Sequence, residues 1–148
     1  MKFEKIIRTD ESKTTLLIRL MVGTVFLSEG IQKFLFPALL GAGRFEKIGL
    51  PAPEFLGNLV GGFEILCGIL ILIGLATRLA SIPLITIMLI AIAATKYKIL
   101  INKGFWEMMH ESRTDWAMLL GNGFLLIKGA GRWSADKILT EKWSRKQI

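Results

Sequence analysis

The sequence predicts an all-α integral membrane protein: one domain over residues 1–148, folded as an up-and-down four-helix bundle with both termini in the cytoplasm. Three observations carry this reading. Hydrophobic residues make up 52% of the chain and the mean hydropathy is +0.51. Four segments, about residues 16–36, 55–76, 79–101 and 115–131, are apolar over lengths close to the roughly 20 residues that cross a ~30 Å hydrocarbon layer as a helix. Twelve of the 19 Lys and Arg residues fall on the side of the termini and seven on the other, which by the positive-inside bias makes the terminal side cytoplasmic.

Segment one follows a charged stretch that includes Lys2, Lys5, Arg8, Asp10 and Lys13, and Pro37 closes it. It carries Arg19 one turn from its inner end, then Glu29, Gln32 and Lys33 in its outer half. Glu29 and Lys33 are i, i+4 neighbours, so they share a helix face and can pair. Segment two opens after Pro51 and Pro53, and its 22 residues from Phe55 to Ala76 are interrupted only by Asn58 and Glu64 among polar side chains. Gly57 and Gly61 form a small-x-x-x-small pair suited to close helix approach in lipid. The short turn at Thr77 and Arg78 makes segments two and three antiparallel neighbours. Segment three ends near Lys96 and Lys98, whose stems can snorkel to the headgroups. Segment four opens with Ser112 and Asp115 at capping-box spacing and carries Asn122. Trp116 and Trp133 are 17 residues apart, so about 25 Å of helix would bring both to the interfaces.

Composition excludes several functions. The basic residues cluster at segment ends rather than along one aromatic-interleaved face, so nucleic acid is not an expected partner. The first 14 residues lack the short apolar core and small-residue cleavage site of a signal peptide. Cys67 is the single cysteine, and no Cys-x-x-Cys pair exists for thiol exchange. One histidine, His110, with scattered carboxylates makes a poor zinc or haem site, so no metal is expected.

A charge facing lipid costs about 2.5–3.5 kcal/mol even on the gentlest scale. Arg19, Glu29, Lys33, Glu64 and Asn122 are therefore expected to turn inward and form a polar pocket opening toward the outer surface. Glu64, near mid-depth, is the focal residue, with Arg19 or Lys33 as its partner. Two readings follow: buried ion pairs that fix helix register, or a site that holds a polar ligand or moves protons.

These segments resemble the DoxX family of small four-span membrane proteins. The resemblance rests on Arg19-Leu20 followed by Gly23, Phe26 and Leu27; Glu29-Gly30-Ile31-Gln32-Lys33-Phe34; Gly49-Leu50-Pro51-Ala52-Pro53; Gly62-Phe63-Glu64-Ile65-Leu66-Cys67-Gly68; Gly74 to Ala80; and Gly131 to Asp136. It implies a prokaryotic inner-membrane bundle, quinone as cofactor, and a link to quinone-coupled oxidation or oxidative stress. Glu64 would then accept quinol protons while Arg19 and Lys33 hold the head group, with Glu29 and Asn122 as further ligand contacts. Glu29 departs from relatives that carry histidine or another polar residue near this position. Because the chain has no ligands for a redox metal, electrons would pass through a soluble or membrane redox partner, or directly between organic molecules. Competing expectations are a non-catalytic membrane subunit or assembly factor, with homo-oligomer formation open, and a small carrier or lipid-handling protein.

Overall fold

The computed structural model describes residues 9–145, with side chains through Trp143. Lys2, Lys5, Arg8 and Lys146, which contribute to the charge asymmetry, lie outside the described residues. Seven helices and no strands are found among the described residues. They are α1 Thr15–Leu35, α2 Ala42–Ile48, α3 Pro53–Ile73, α4 Thr77–Lys103, α5 Phe105–Glu111, α6 Arg113–Lys128 and α7 Ala135–Arg145.

Three of the four expected spans, α1, α3 and α4, are long and apolar enough to cross a membrane. The fourth is shorter than the sequence predicts. α6 has 16 residues and ends at Lys128, where Gly129 takes a positive φ of 80°. Trp133 therefore lies in the connection to α7, beyond the helix that was expected to extend to residue 131. The Ser112 and Asp115 capping box is also absent. Ser112 Oγ instead donates backward to the Met108 carbonyl at 2.6 Å, and Asp115 turns to Lys96. The two short helices α2 and α5 occupy the connections from α1 to α3 and from α4 to α6, which hydropathy alone leaves as loops. Gly49 ends α2 in the left-handed conformation, with its N–H and that of Leu50 closing on the Glu46 and Phe45 carbonyls.

α1 packs on α3, α3 on α4, α4 on α6, and α6 returns to α1. Val22, Phe26, Cys67, Ile71, Leu84, Met118 and Leu125 fill the centre. Leu17, Leu66, Ile73, Leu79, Leu120 and Ile127 are each more than half exposed and point away from it, as side chains meeting acyl chains must. Cys67 is one of the buried packing residues.

The tightest seam is between α1 and α3. Gly23 and Gly30 are seven residues apart on α1, and Gly61 and Gly68 are seven apart on α3. The antiparallel helices meet at two rungs, Gly23 against Gly68 and Gly30 against Gly61. A Cβ on Gly30 would lie 2.8 Å from the Gly61 carbonyl oxygen, and one on Gly68 would lie 2.9 Å from Leu27 N. Backbone in the way cannot rotate aside. Gly57, the other half of the expected small-x-x-x-small pair, faces α2 instead, where its Cβ would meet Ala42 N at 2.9 Å.

At one end of the helices, α3 passes to α4 through Gly74 and Ala76, both left-handed. Ala76 pays a steric penalty there of about 1–2 kcal/mol. Asp136 of α7 opposes it, since its carboxylate accepts the N–H groups of Ala76 at 2.7 Å and Thr77 at 3.1 Å and so caps α4. The segment before α1 is tied to the same end: Asp10 N–H donates to the Lys128 carbonyl and Arg132 N–H to the Ser12 carbonyl. The Ser12 N–H and the Lys128 ammonium hold the Asp10 carboxyl below the usual carboxylate range.

Gly61→Val is expected to lower stability by about 1–3 kcal/mol through overpacking at the rung. Gly62→Ala, where a Cβ meets nothing within 4 Å, is expected to leave it unchanged or raise it slightly. Thermal unfolding in detergent measures both, and equal losses would place the seam elsewhere.

Candidate functional site

Glu64 is buried on the face of α3 that meets α1, one turn beyond Gly61. The glycine rung sets the distance that its partner must cover. A Cβ on Gly30 would touch Glu64 Cβ at 2.9 Å, and one on Gly61 would meet Lys33 Cβ at 3.4 Å. Lys33, one turn after Gly30, thus reaches across the seam without bending α1. Its Nζ lies 2.6 Å from Glu64 Oε2 and 3.8 Å from Glu29 Oε2. Of the two basic residues proposed as Glu64's partner, Lys33 is the one in place.

The three charged groups grade from interior to surface. The side chains of Glu64 and Lys33 are 5% and 11% exposed, and that of Glu29 is 45% exposed. Beside Glu29 on α1, Gln32 Nε2 donates to Ser28 Oγ at 2.8 Å, so this flank of the helix is polar at a depth where apolar residues are the rule. Arg44 of α2 adds a further positive charge near Glu64.

Arg19 is not part of this cluster. It sits at the α3–α4 turn, 2% exposed, with its guanidinium spent on backbone carbonyls. Nε donates to Ile71 O at 2.8 Å, Nη2 to Leu72 O at 2.5 Å, and Nη1 to Trp133 O at 2.5 Å and Ala130 O at 3.2 Å. Leu72 O near the end of α3 is satisfied this way, and Ile71 O accepts from Arg19 Nε as well as from the Gly74 N–H at 3.1 Å. The rigid fork of arginine matches the task, and Gly74 leaves room for it, because a Cβ there would lie 2.6 Å from Arg19 Cζ.

Asn122 is also separate. It is fully buried on α6 next to Gly121, whose neighbours are Ile18, Met21 and Val22 in the inner half of α1. Its Nδ2 donates to Met118 O at 2.9 Å, and its Oδ1 has no hydrogen-bond partner. The structure thus brings together Glu29, Lys33 and Glu64 and leaves out Arg19 and Asn122. A second outer pair, Lys96 with Asp115 at 3.0 Å, joins α4 to α6, and Lys96 also donates to Glu111 O at 2.8 Å. A groove of about 200 Å³ lies beside it, lined by Ile92, Lys96, Tyr97, Leu100, Met108 and Trp116. The capping role of Asp136, at the start of α7, has no signature in the sequence, because capping an element 60 residues away leaves no local pattern.

The fold and the buried charges define a polytopic membrane protein of helical architecture. The DoxX family profile matches residues 14–97, and the chain belongs to that family. It is 49% identical over 144 residues to an uncharacterized membrane protein of Mycobacterium tuberculosis, covering 93% of this chain and 88% of that one. It is 29% identical over 117 residues to the Bacillus subtilis protein named "Putative oxidoreductase CatD", covering 78% and 79% of the two chains. No solved structure matches it.

Lys33→Met or Glu64→Leu alone is expected to cost about 3–5 kcal/mol, because each strands a buried charge. The double variant is expected to recover most of that loss. A double-mutant cycle on unfolding in detergent gives the coupling, and additive losses would show that the two groups do not sense each other. Arg19→Lys is expected to be as damaging as either single variant while leaving that coupling intact.

Proposed function

We propose that the protein is a quinone-interacting component of a membrane oxidoreductase, with Lys33 and Glu64 at its working centre and Glu29 at the mouth. The observation that carries the reading is a lysine held between two carboxylates inside the membrane span, one buried and one half exposed. Intramembrane ionisable groups of this kind are costly and by default functional. Membership of the DoxX family and the name of the Bacillus relative support a redox role.

The donor set fits a quinone head group. Lys33 carries three N–H donors, of which the two carboxylates engage at most two, and Gln32 adds an amide donor on the same flank. Both donate to carbonyl oxygens, and Glu29 accepts from a hydroxyl. A bound quinone supplies a carrier for two electrons and two protons. Glu64 holds and returns a proton, paired with the Lys33 ammonium when ionised, while Glu29 at 3.8 Å balances that ammonium when Glu64 is neutral. Arg19 takes the role of scaffold rather than ligand contact, since its donors are already on carbonyls. Asn122 is likewise left to packing.

The same reading includes α6 as a fourth span. At about 1.5 Å per residue its 16 residues cover about 24 Å, short of the hydrocarbon thickness, and snorkelling by Lys128 with Trp116 at the other end makes up the difference. Both termini then face the cytoplasm of a prokaryotic cell, in its inner membrane, with an electron-transfer partner docked from either side. A non-catalytic subunit is the competing reading, favoured by the mutual neutralisation of Lys33 and Glu64.

Binding of a short-tailed benzoquinone and a naphthoquinone to the protein in nanodiscs decides between them. The wild type is expected to bind at least one, and Glu64→Gln to weaken it about tenfold, equivalent to about 1.4 kcal/mol. Equal affinity in both proteins, or no binding in either, would support the subunit reading.

A further inference from the structure

The charged triad grades from the buried Glu64 through Lys33 to the half-exposed Glu29. Going outward from Glu64, the next groups are the Lys33 ammonium and then the half-exposed Glu29 carboxylate, in the half of α1 farthest from the chain termini. Going inward, the same seam closes. The Gly23 and Gly68 rung brings backbone against backbone, and Val22, Ile71, Leu84 and Leu125 beneath it have no exposed surface. Below them the Arg19 guanidinium binds four carbonyls at the end of the bundle. The charged groups that act on Glu64 from its neighbours are Lys33 and Glu29 of α1 and Arg44 of α2. α4 offers none, since it has no titratable residue between Arg78 and Lys96.

We propose that Glu64 exchanges protons with the compartment opposite the chain termini, through Lys33 and Glu29, and is closed to the compartment that the termini face. The inference rests on the reading of Glu64 as a proton-handling group and adds a direction to it. Glu29 takes a proton from water. Lys33 passes one of its ammonium protons to Glu64 and takes the proton from Glu29. Glu64 ends neutral, Lys33 is again an ammonium and Glu29 again a carboxylate, so one proton has moved inward by one site. Reversal releases it to the same side.

An apolar fluorescent carbodiimide, which reacts with protonated carboxyls from within the bilayer, reads this without any quinone. The protein is reconstituted in vesicles sorted for one orientation by accessibility of a C-terminal tag, and the pH is lowered by about two units on one side at a time. Labelling at Glu64, located by peptide mass spectrometry, is expected to rise at least about fivefold when the non-terminal side is acidified and to stay unchanged for the terminal side. Glu29→Gln, at a half-exposed position, is expected to abolish the response without lowering thermal stability, while Glu29→Asp retains it. A response to the terminal side, an equal response to both, an unaltered response in Glu29→Gln, or no labelling of Glu64 at any pH would overturn the proposal. Loss of quinone binding alone would leave the labelling result standing, so the two readings fail separately.

Discussion

The close approach of α1 and α3 at two glycine rungs is the constraint on which the rest of the structure depends. In hydrocarbon, apolar side chains gain little by leaving lipid for protein, so association falls to contact area and to polar groups that must be satisfied. Glycines seven residues apart on each helix supply the first. They also bring Lys33 within reach of Glu64 and so supply the second. A bulkier seam would hold the helices apart, and the lysine would have to leave its carboxylate or bend its helix. Packing and electrostatics are therefore one device here.

Polar groups divide by depth into two jobs. At the inner end, Arg19 and Asp136 serve the backbone: one collects carbonyls released by the end of α3 and the 130–133 connection, and the other caps α4 across a strained alanine. The Arg19 donors and the Asp136 carboxylate at that end are engaged in joining these segments, which leaves little of either for a ligand. At the other end, Lys33 faces two carboxylates rather than the backbone, and one of them, Glu29, is half exposed. Chemistry that needs a mobile proton is compatible with the second arrangement and not with the first.

Much of the fold was legible in the sequence because hydrophobic length and helix punctuation are local properties. Pro37, Pro53 and the Gly74 to Thr77 turn fall at or next to element boundaries. The i, i+4 relation of Glu29 and Lys33 was readable for the same reason, since a helix fixes it whatever the surroundings. The short helices α2 and α5 were not readable, being too brief for a periodic signal and stabilised by what they pack on. The capping box at Ser112 failed because the preceding α5 offered the serine hydroxyl a nearer acceptor.

Residue type and spacing by themselves determined that the chain is helical, that it belongs in a membrane, and that a handful of charges must find partners inside it. Which charges meet was decided only by the tertiary structure. Arg19 and Lys33 are equally basic in the sequence, yet one reaches carbonyls and the other a carboxylate, because position along α1 and the register of the glycine seam place the first at the end of α3 and the second near its middle. Register between helices arises from contacts between residues some 30 to 50 positions apart, and no local pattern in one chain encodes it.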